Sequence, residues 1–314
     1  MGGVTDGVRD TAHAGEADLL VVGGGPAGCA AAVTAAGVGM RTLLLEAGPE
    51  LCGKLRYVRS LGNVLGGFSS GPEFAAAAAG DVARAAGCRV EYGARVVRLT
   101  ARDDHVAVTL ASGERRTAAH AVVATGTGPL RPADTDWAAD PGGRAAGPLW
   151  EADPAALSGR TVLVLGADRP LGTLLRADPS ADVRFLVAHP PSDGYKTAEV
   201  RADRRVELVP VRRVVLRGGP GRRAGVAAEI ATAAGGSLRW TADVAYLNIG
   251  SGPVRVPGDL VADAGGHCPP GAQRPRVHVA GDLRSPRAQR IMTAMGSGGE
   301  AALRAYYALR GLPG

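Results

Sequence analysis

The sequence predicts an α/β protein with two nucleotide-type folds, the second smaller and inserted into the first. Three observations lead to this prediction. The apolar run Leu19–Val22 enters the loop Gly23-Gly24-Gly25-Pro26-Ala27-Gly28 and then an alanine-rich segment. Near the middle of the chain, the strand-like run Thr161–Leu165 again ends on a glycine. Strand-like sequence returns at Val277–Ala280, ahead of a final helix. The first domain is therefore discontinuous.

The first glycine loop has the spacing that binds the ADP half of a dinucleotide. Gly23 permits the tight turn, Gly25 lets the backbone approach the pyrophosphate, and Gly28 lets the helix pack closely on the strand. The helix N-terminus supplies free N–H groups to the phosphates. Glu46 follows the next apolar run, Leu43–Leu45, and we expect its carboxylate to accept hydrogen bonds from the ribose hydroxyls.

Composition sets the domain boundaries and excludes several functional classes. We expect a disordered tail over 1–17, a first domain over 18–128 plus 253–314, a second over 149–250, and Pro/Gly-rich linkers near 129–148 and 250–256. No apolar run reaches the roughly 20 residues that cross a bilayer, so we predict no membrane partner. The charge of +6 comes from dispersed arginines with only 4% aromatic residues, which argues against nucleic acid.

Cysteine usage favours a reducing, cytoplasmic location, because the four cysteines are widely spaced and form neither a Cys-x-x-Cys pair nor a metal-binding pattern. We therefore predict no metal site. Cys29 is expected to be a small core residue beside the glycine loop, and Cys52 a small residue in a tight turn rather than a redox thiol. Cys88 and Cys268 are expected to be incidental.

Further along the chain, the motifs resemble those of low-molecular-weight thioredoxin reductases and related two-domain FAD enzymes. Cys52-Gly53-Lys54-Leu55 stands where the family has Gly-Gly-Gln-Leu, and Asn63-Val64-Leu65-Gly66 where it has Asn-Phe-Pro-Gly. The resemblance continues through Ala124-Thr125-Gly126 and Ile249-Gly250-Ser251-Gly252-Pro253. It is most specific in Ala280-Gly281-Asp282 and Thr293–Ala302.

The resemblance implies a flavoprotein that binds FAD and forms a homodimer. In that family the aspartate corresponding to Asp282 binds the ribityl side of FAD, and the start of the last helix faces the flavin ring. The cofactor-binding residues implied in this way, together with the glycine loop, are Gly23, Gly25, Pro26, Ala27, Gly28, Glu46, Lys54, Leu55, Asn63, Val97, Ala124, Thr125, Gly126, Gly281, Asp282, Arg290, Ile291 and Met292.

Two departures from the family bear on function. The family carries Cys-x-x-Cys shortly before the second glycine loop, whereas Ala145–Trp150 contains no cysteine. The second loop reads Gly166-Ala167-Asp168-Arg169-Pro170-Leu171 and places a carboxylate where the backbone should touch a pyrophosphate. At about 4 Å and an effective dielectric near 20, one such charge pair costs roughly 4 kcal/mol before screening, about a thousandfold in affinity.

The second loop has two further features that bear on NAD(P)H. Leu171 stands where a small residue is needed, although Gly172 could compensate by a one-residue shift. The family's His-Arg-Arg cluster for the 2′-phosphate is replaced by His189-Pro190-Pro191, which lacks the arginine clamp. We therefore expect NAD(P)H binding to be lost. The alternative, a divergent nucleotide site in which Arg169 supplies the contacts, stays open.

Without a dithiol, the flavin itself would be the redox group. The catalytic candidates are Lys54, which could stabilise negative charge on the flavin, and Cys52, Tyr57 and Arg290, which are placed near it by resemblance.

We predict an FAD-dependent oxidoreductase that takes a hydride from a small organic substrate onto flavin N5. O2 or a redox protein would accept the electrons, and specialised-metabolite biosynthesis is one setting. Two alternatives stay open. One is an NAD(P)H- or ferredoxin-linked reductase without a dithiol, and the other is a flavin-binding module without turnover.

Overall fold

The computed structural model describes residues 17–219 and 225–312. The predicted N-terminal tail lies outside the described residues, except that Ala17 already begins the first strand. By their internal contacts, the residues divide into two compact units. Unit 1 is Met1–Thr127 with Pro253–Gly314, and unit 2 is Gly128–Gly252. The chain therefore leaves unit 1, builds unit 2 and returns.

Unit 1 contains a sheet in the order β3-β2-β1-β6-β5-β4, with β17 also paired to β6. The strands β1, β2, β3, β6 and β17 run parallel to their neighbours among themselves, whereas β4, β5 and the first half of β6 are antiparallel. The strands are β1 (Ala17–Val22), β2 (Thr42–Leu45), β3 (Cys88–Glu91), β4 (Val96–Ala101), β5 (Val106–Leu110), β6 (Arg115–Val123) and β17 (Val277–Val279).

The helices of unit 1 are α1 (Pro26–Gly37), α2 (Gly71–Arg84) and α5 (Ile291–Leu309). Small residues let α1 and α5 cross at close range. A Cβ at Gly298 would lie only 2.0 Å from the Ala27 carbonyl oxygen, so a glycine is required at this crossing. Ala294, Ala301 and Ala302 are also buried there. This crossing fixes the start of α5 beside the glycine loop that precedes α1.

Unit 2 contains a sheet in the order β14-β13-β12-β11-β10-β15-β9, with β8 paired to β12. Its strands are β8 (Ala138–Ala139), β9 (Ala145–Pro148), β10 (Arg160–Leu165), β11 (Val183–His189), β12 (Val206–Gly218), β13 (Val226–Thr232), β14 (Ser237–Ala242) and β15 (Val244–Leu247). Its helices are α3 (Pro154–Leu157) and α4 (Pro170–Ala177).

The segment predicted as the first linker differs from the expectation. Within 129–148, β8 pairs with β12 and β9 pairs with β15, so part of this Pro/Gly-rich stretch belongs to the sheet of unit 2. Each strand is too short to show an alternating pattern in the sequence, which explains why composition predicted a linker. The chain passes from one unit to the other at two places. One contains the short strand β7 (Thr127–Pro129) and the other contains β16 (Ser251–Pro253), and these two strands pair with each other.

The parallel strands of unit 1 place several chain segments at one edge. β1 ends before Gly23, β2 before Glu46, β6 before Ala124, and β17 shortly before Gly281. In open α/β sheets, ligands bind in the crevice outside the carboxyl ends of the strands. The fold therefore brings the predicted site segments together.

Candidate functional site

A cavity of about 280 Å³ lies at the carboxyl ends of the parallel strands of unit 1. All of its lining residues come from that unit. They are Gly23, Gly24, Gly25, Pro26, Ala27, Glu46, Cys52, Gly53, Lys54, Leu55, Ala124, Thr125, Gly126, Thr127, Gly281, Asp282, Arg290, Ile291 and Ala294. Six separate chain segments therefore surround one space.

Three of the four glycines of the first loop, Gly23, Gly25 and Gly28, have different surroundings. Gly23 has φ +101°, and a Cβ there would lie 2.7 Å from the Ala124 carbonyl oxygen. A Cβ at Gly28 would lie 1.8 Å from the Gly23 carbonyl oxygen, so only glycine allows α1 to start so close to the loop. A Cβ at Gly25 would meet nothing within 4 Å. Gly25 is thus the position where the backbone borders open space that a ligand could fill.

Glu46 is held at the edge of the cavity by backbone N–H groups. Its Oε2 accepts a hydrogen bond from Gly24 N at 2.6 Å, and its Oε1 accepts one from Gly48 N at 2.6 Å. These bonds fix the carboxylate between the glycine loop and the end of β2. Each carboxylate oxygen has further acceptor capacity, so both can still receive hydrogen bonds from a ligand hydroxyl.

The opposite part of the cavity is formed by charged groups of both signs. Burial raises the pKa of the Asp282 carboxyl, while the positive charges of Lys54 and Arg290 act in the other direction. Lys54 Nζ donates a hydrogen bond to Thr127 Oγ1 at 3.4 Å. Gly281 N donates to Ser297 Oγ at 2.8 Å, and that hydroxyl donates to the Ala294 carbonyl oxygen. These bonds tie the segment bearing Asp282 to the first turn of α5.

Most of the predicted cofactor-binding residues line this cavity, but four do not. Gly28 lies behind the loop, where it serves the packing role predicted for it. Asn63, Met292 and Val97 are exposed, the last on β4, and none of the three is among the lining residues. Their assignment to the cofactor stays a prediction from resemblance. Four further lining residues were not predicted from the sequence, although each adjoins a predicted residue or lies on the same helix turn: Gly24, Gly53, Thr127 and Ala294.

The catalytic candidates are distributed unevenly. Lys54, Cys52 and Arg290 line the cavity, whereas Tyr57 is 40% exposed and is not among the described residues that line it. Cys52 is buried in a left-handed turn with φ 55°, consistent with its predicted place in a tight turn. Its sulfur lies 3.8 Å from the sulfur of Cys29.

Backbone hydrogen bonds show which residues of unit 2 correspond to those of unit 1. Gly23 N donates to Leu45 O, and Gly166 N donates in the same way to Ala188 O. Likewise, Ala124 N donates to Val22 O and Asn248 N to Leu165 O. Gly166 therefore corresponds to Gly23, and Asn248 corresponds to Ala124. Gly166 has φ +99°, and its Cβ would lie 2.3 Å from the Asn248 carbonyl oxygen.

After this shared start the second loop differs. Asn248 Nδ2 donates to the Asp168 carbonyl oxygen at 2.8 Å, and Asp168 N donates to Asn248 O at 3.1 Å. The loop is therefore bonded to the Asn248 side chain and backbone. Asn248 Oδ1 is buried and has no hydrogen-bond partner among the described residues. The peptide groups at Asp168 are thus already used within unit 2.

The second helix also begins later than the first. α1 starts at Pro26, the third residue after Gly23, whereas α4 starts at Pro170, the fourth residue after Gly166. Gly172 therefore takes the helical position of Gly28, as the predicted one-residue shift requires. A Cβ at Gly172 would lie 2.8 Å from the Glu199 carboxyl carbon. An acidic side chain thus packs against the glycine of the helix start.

Beyond β11, the chain turns through Pro190 and Pro191 where an arginine clamp would stand. Lys196 Nζ forms an ion pair with Asp193 at 3.1 Å. Lys196 and Arg212 both line a cavity of about 600 Å³ in unit 2 that also includes the two prolines. Two cations therefore reach this region, from the segment after Pro191 and from β12.

Among residues 17–219 and 225–312, no group of three or more His, Cys, Asp or Glu side chains is arranged to hold a metal ion. None of the helices described is both long and apolar enough to span a membrane.

Comparison with known proteins agrees with this architecture. Residues 6–143 match the family described as pyridine nucleotide-disulphide oxidoreductase. No curated protein matches the sequence significantly. The thioredoxin reductase of Lactococcus lactis, in its FR conformation, is 19% identical with a TM-score of 0.76, and the match covers 95% of this chain and 100% of that chain. The thioredoxin reductase of T. acidophilum is 20% identical with a TM-score of 0.73, covering 93% and 98%.

These likenesses confirm the predicted two-domain α/β fold and the recognised resemblance. At 19% and 20% identity, the structural matches speak for the fold alone. The family match covers most of the first stretch of unit 1, including the glycine loop and Glu46.

Proposed function

We propose that this chain, a thioredoxin reductase-like FAD-dependent oxidoreductase, oxidises a small organic substrate without using NAD(P)H and without a Cys-x-x-Cys redox dithiol. The observation that carries the proposal is the contrast between its two glycine loops. The first borders an open cavity at Gly25, whereas the second is bonded to Asn248 and carries the Asp168 carboxylate at the corresponding place.

The residues of the unit 1 cavity fit FAD. Gly25 leaves space where a pyrophosphate would approach, and α1 begins beside it with N–H groups directed at a bound anion. Glu46 would accept hydrogen bonds from the ribose hydroxyls, and Asp282 from those of the ribityl chain. When bound, FAD would supply the acceptor for a hydride from the substrate, and O2 or a redox protein would take the electrons onward.

The chain's own contribution would be electrostatic and positional. Lys54 and Arg290 place positive charge beside the cavity, where it would stabilise negative charge that develops during reduction. Thr127 accepts a hydrogen bond from Lys54 and so restrains that charge. Ser297 holds Gly281 and thereby positions Asp282. We expect a homodimer, as the family resemblance implies, in the reducing cytoplasm that the cysteine usage favours.

Anaerobic stopped-flow mixing of the FAD-loaded protein with NADPH or NADH tests the proposal. We expect the flavin absorbance near 450 nm to persist for minutes, because the proposal gives unit 2 no bound NADPH or NADH. Bleaching within seconds would refute the proposal.

A second candidate, an NAD(P)H-linked reductase without a dithiol, is favoured by one observation. Lys196 and Arg212 line the cavity beside Pro190 and Pro191, where they could contact a phosphate. If NADPH bleaches the flavin and Arg212→Gln slows the bleaching at least tenfold, this candidate replaces the first. Addition of ferredoxin or flavodoxin to the reduced protein would then identify its acceptor.

A further inference from the structure

Two cysteines from separate elements meet beneath the cofactor cavity. Cys29 belongs to α1, and Cys52 precedes the short 3₁₀ turn Gly53–Tyr57. Their sulfur atoms are 3.8 Å apart, and the residues are only 4% and 2% exposed. Cys52 lines the cavity, whereas Cys29 lies behind it in the helix. The two thiols are therefore in contact, with one of them next to the ligand space.

The pair is held in place by the glycine loop. The Gly24 carbonyl oxygen accepts a hydrogen bond from Cys52 N at 2.8 Å and another from Cys29 Sγ at 3.4 Å. Gly24 N in turn donates to Glu46. One residue of the loop thus connects both thiols to the acid that borders the cavity.

The backbone at Cys52 indicates that its side chain has a use. With φ 55° it occupies the left-handed region, which glycine adopts freely and which strains a residue with a Cβ. Such strained positions concentrate at functional sites. A glycine would satisfy the turn without strain, so what the cysteine adds at this position is the sulfur that contacts Cys29.

The other two cysteines provide an internal comparison. Cys88 is half-buried on β3, and Cys268 is fully buried in the chain segment before β17. Among the described residues, Cys29 and Cys52 form the sole sulfur pair within 4.0 Å. Burial alone therefore does not distinguish the pair from Cys268, but sulfur–sulfur contact does.

We propose that Cys29 and Cys52 form an intramolecular disulfide when the protein meets hydrogen peroxide. The Cys52 sulfur attacks the peroxide, so that an S–O bond forms, the O–O bond breaks and water leaves. The Cys29 sulfur then attacks the Cys52 sulfur, the S–O bond breaks and a second water leaves. Two thiols are oxidised to one disulfide and one peroxide is reduced to two waters, with no other reactant.

The geometry also sets the rate and the consequence of this reaction. The hydrogen bond to Cys52 and burial raise the pKa of Cys29. Its thiol must therefore give its proton to the departing hydroxyl as it attacks the Cys52 sulfur, and the raised pKa slows this second step. A disulfide needs about 2.05 Å between the sulfurs, and the movement falls on the Cys52 turn because Cys29 is fixed in α1. The product would lock the cavity wall to the helix. FAD in the cavity would shield Cys52 and slow the reaction.

Mass spectrometry of the flavin-loaded and flavin-free protein tests the assignment. Each form is treated with millimolar hydrogen peroxide at pH 7.5, quenched with catalase, denatured in N-ethylmaleimide and digested without reduction. We expect one cross-linked peptide pair containing Cys29 and Cys52, loss of two hydrogens in mass, and reversal by dithiothreitol. Cys88 and Cys268 should remain alkylated, and the flavin-free protein should react at least tenfold faster.

Two variants keep the test independent of folding. Cys29→Ala retains a good helix former, and Cys52→Gly suits the left-handed backbone, so both should fold and both should lose the cross-link. Cys88→Ser is the matched control and should retain it. The proposal fails if a folded protein keeps Cys29 and Cys52 alkylatable, if Cys52 is overoxidised without cross-linking, or if the bond involves Cys88 or Cys268. None of these outcomes depends on the proposed function.

Discussion

In unit 1, the glycine loop after β1 closes on itself, with Gly28 against the Gly23 carbonyl oxygen and Gly25 facing open space. In unit 2, the loop after β10 instead closes on Asn248, and its helix glycine faces Glu199. Both loops start from the same strand pairing and the same positive-φ glycine. The difference shows that unit 2 keeps the nucleotide-type fold while the peptide groups of its glycine loop form hydrogen bonds within the unit.

The largest effect should come from Gly28→Ala, because Gly28 is the most crowded glycine of the two loops. The new Cβ would lie 1.8 Å from a backbone oxygen that cannot move without displacing the loop. We expect destabilisation by about 3 kcal/mol and loss of bound flavin. Thermal unfolding and the ratio of flavin to protein absorbance measure both.

The matched control is Gly172→Ala in unit 2, where the new Cβ would meet the end of a flexible glutamate side chain. We expect about 1 kcal/mol or less and an unchanged flavin content. Equal losses in the two variants would show that the loops are not as different as their contacts indicate.

Gly25→Val separates folding from binding within the first loop. Its backbone is extended in φ and ψ, and a side chain there would project into open space, so the fold should tolerate it. The side chain would occupy the position of the pyrophosphate. We expect FAD affinity to fall at least about a hundredfold, near 3 kcal/mol, with the melting temperature of the flavin-free protein unchanged. Flavin fluorescence titration checks the first and calorimetry the second.

Acid should destabilise unit 1 through His278 on β17. Burial, followed by the charge of Arg304, lowers the pKa of His278 to about 4 from the ordinary 6.5. Its ring lies 3.3 Å from that of His120, between Nε2 and Nδ1. The folded state therefore binds fewer protons than the unfolded state, so stability is complete above pH 6.5 and is lost as the pH falls toward 4.

Between pH 7 and pH 5 we expect this loss to be about 1 to 2 kcal/mol, measured by urea unfolding followed through flavin release. His278→Gln keeps a polar partner for His120 but does not titrate, so its stability should change less over this range. An identical pH dependence in the variant would show that His278 does not cause the loss of stability in acid.

The smallest effect should come from Asp168→Gly, which restores a glycine to the second loop. The Asp168 side chain is half-exposed, so water screens much of its charge. Asn248 still bonds the loop, and Glu199 still packs on Gly172. Because the unaltered protein should not bind NADPH below about 1 mM, we expect this variant to bind it no tighter than about 0.1 mM, as measured by equilibrium dialysis. Micromolar NADPH binding by this single variant would show that the Asp168 carboxylate alone prevents binding in the unaltered protein.

Much of this comparison could be predicted from the sequence, because the glycine spacing reports a local backbone requirement. The roles of Gly23, Gly25 and Gly28 and the altered loop at Gly166 follow from residues close together in the chain. The possible shift to Gly172 also followed from spacing. The contact of Gly172 with Glu199 did not, because Glu199 comes from a distant segment.

Other features depended on tertiary packing. Cys29 and Cys52 had separate interpretations in the sequence, and only the fold brings their sulfurs together. Arg212 reaches the proline turn from β12, and the sequence of this strand contains no motif that predicts a ligand site. Asn63 and Val97 were assigned by resemblance alone; both are exposed, and their role toward the cofactor stays a prediction.

The central claim is that two nucleotide-type folds in this chain hold one nucleotide. Its most direct test is the binding stoichiometry of the purified protein, measured by isothermal titration calorimetry with FAD and then with NADPH and NADH. We predict one FAD bound per chain and no saturable heat with either nicotinamide nucleotide up to 1 mM. One FAD together with one NADPH or NADH bound at micromolar affinity would contradict the account.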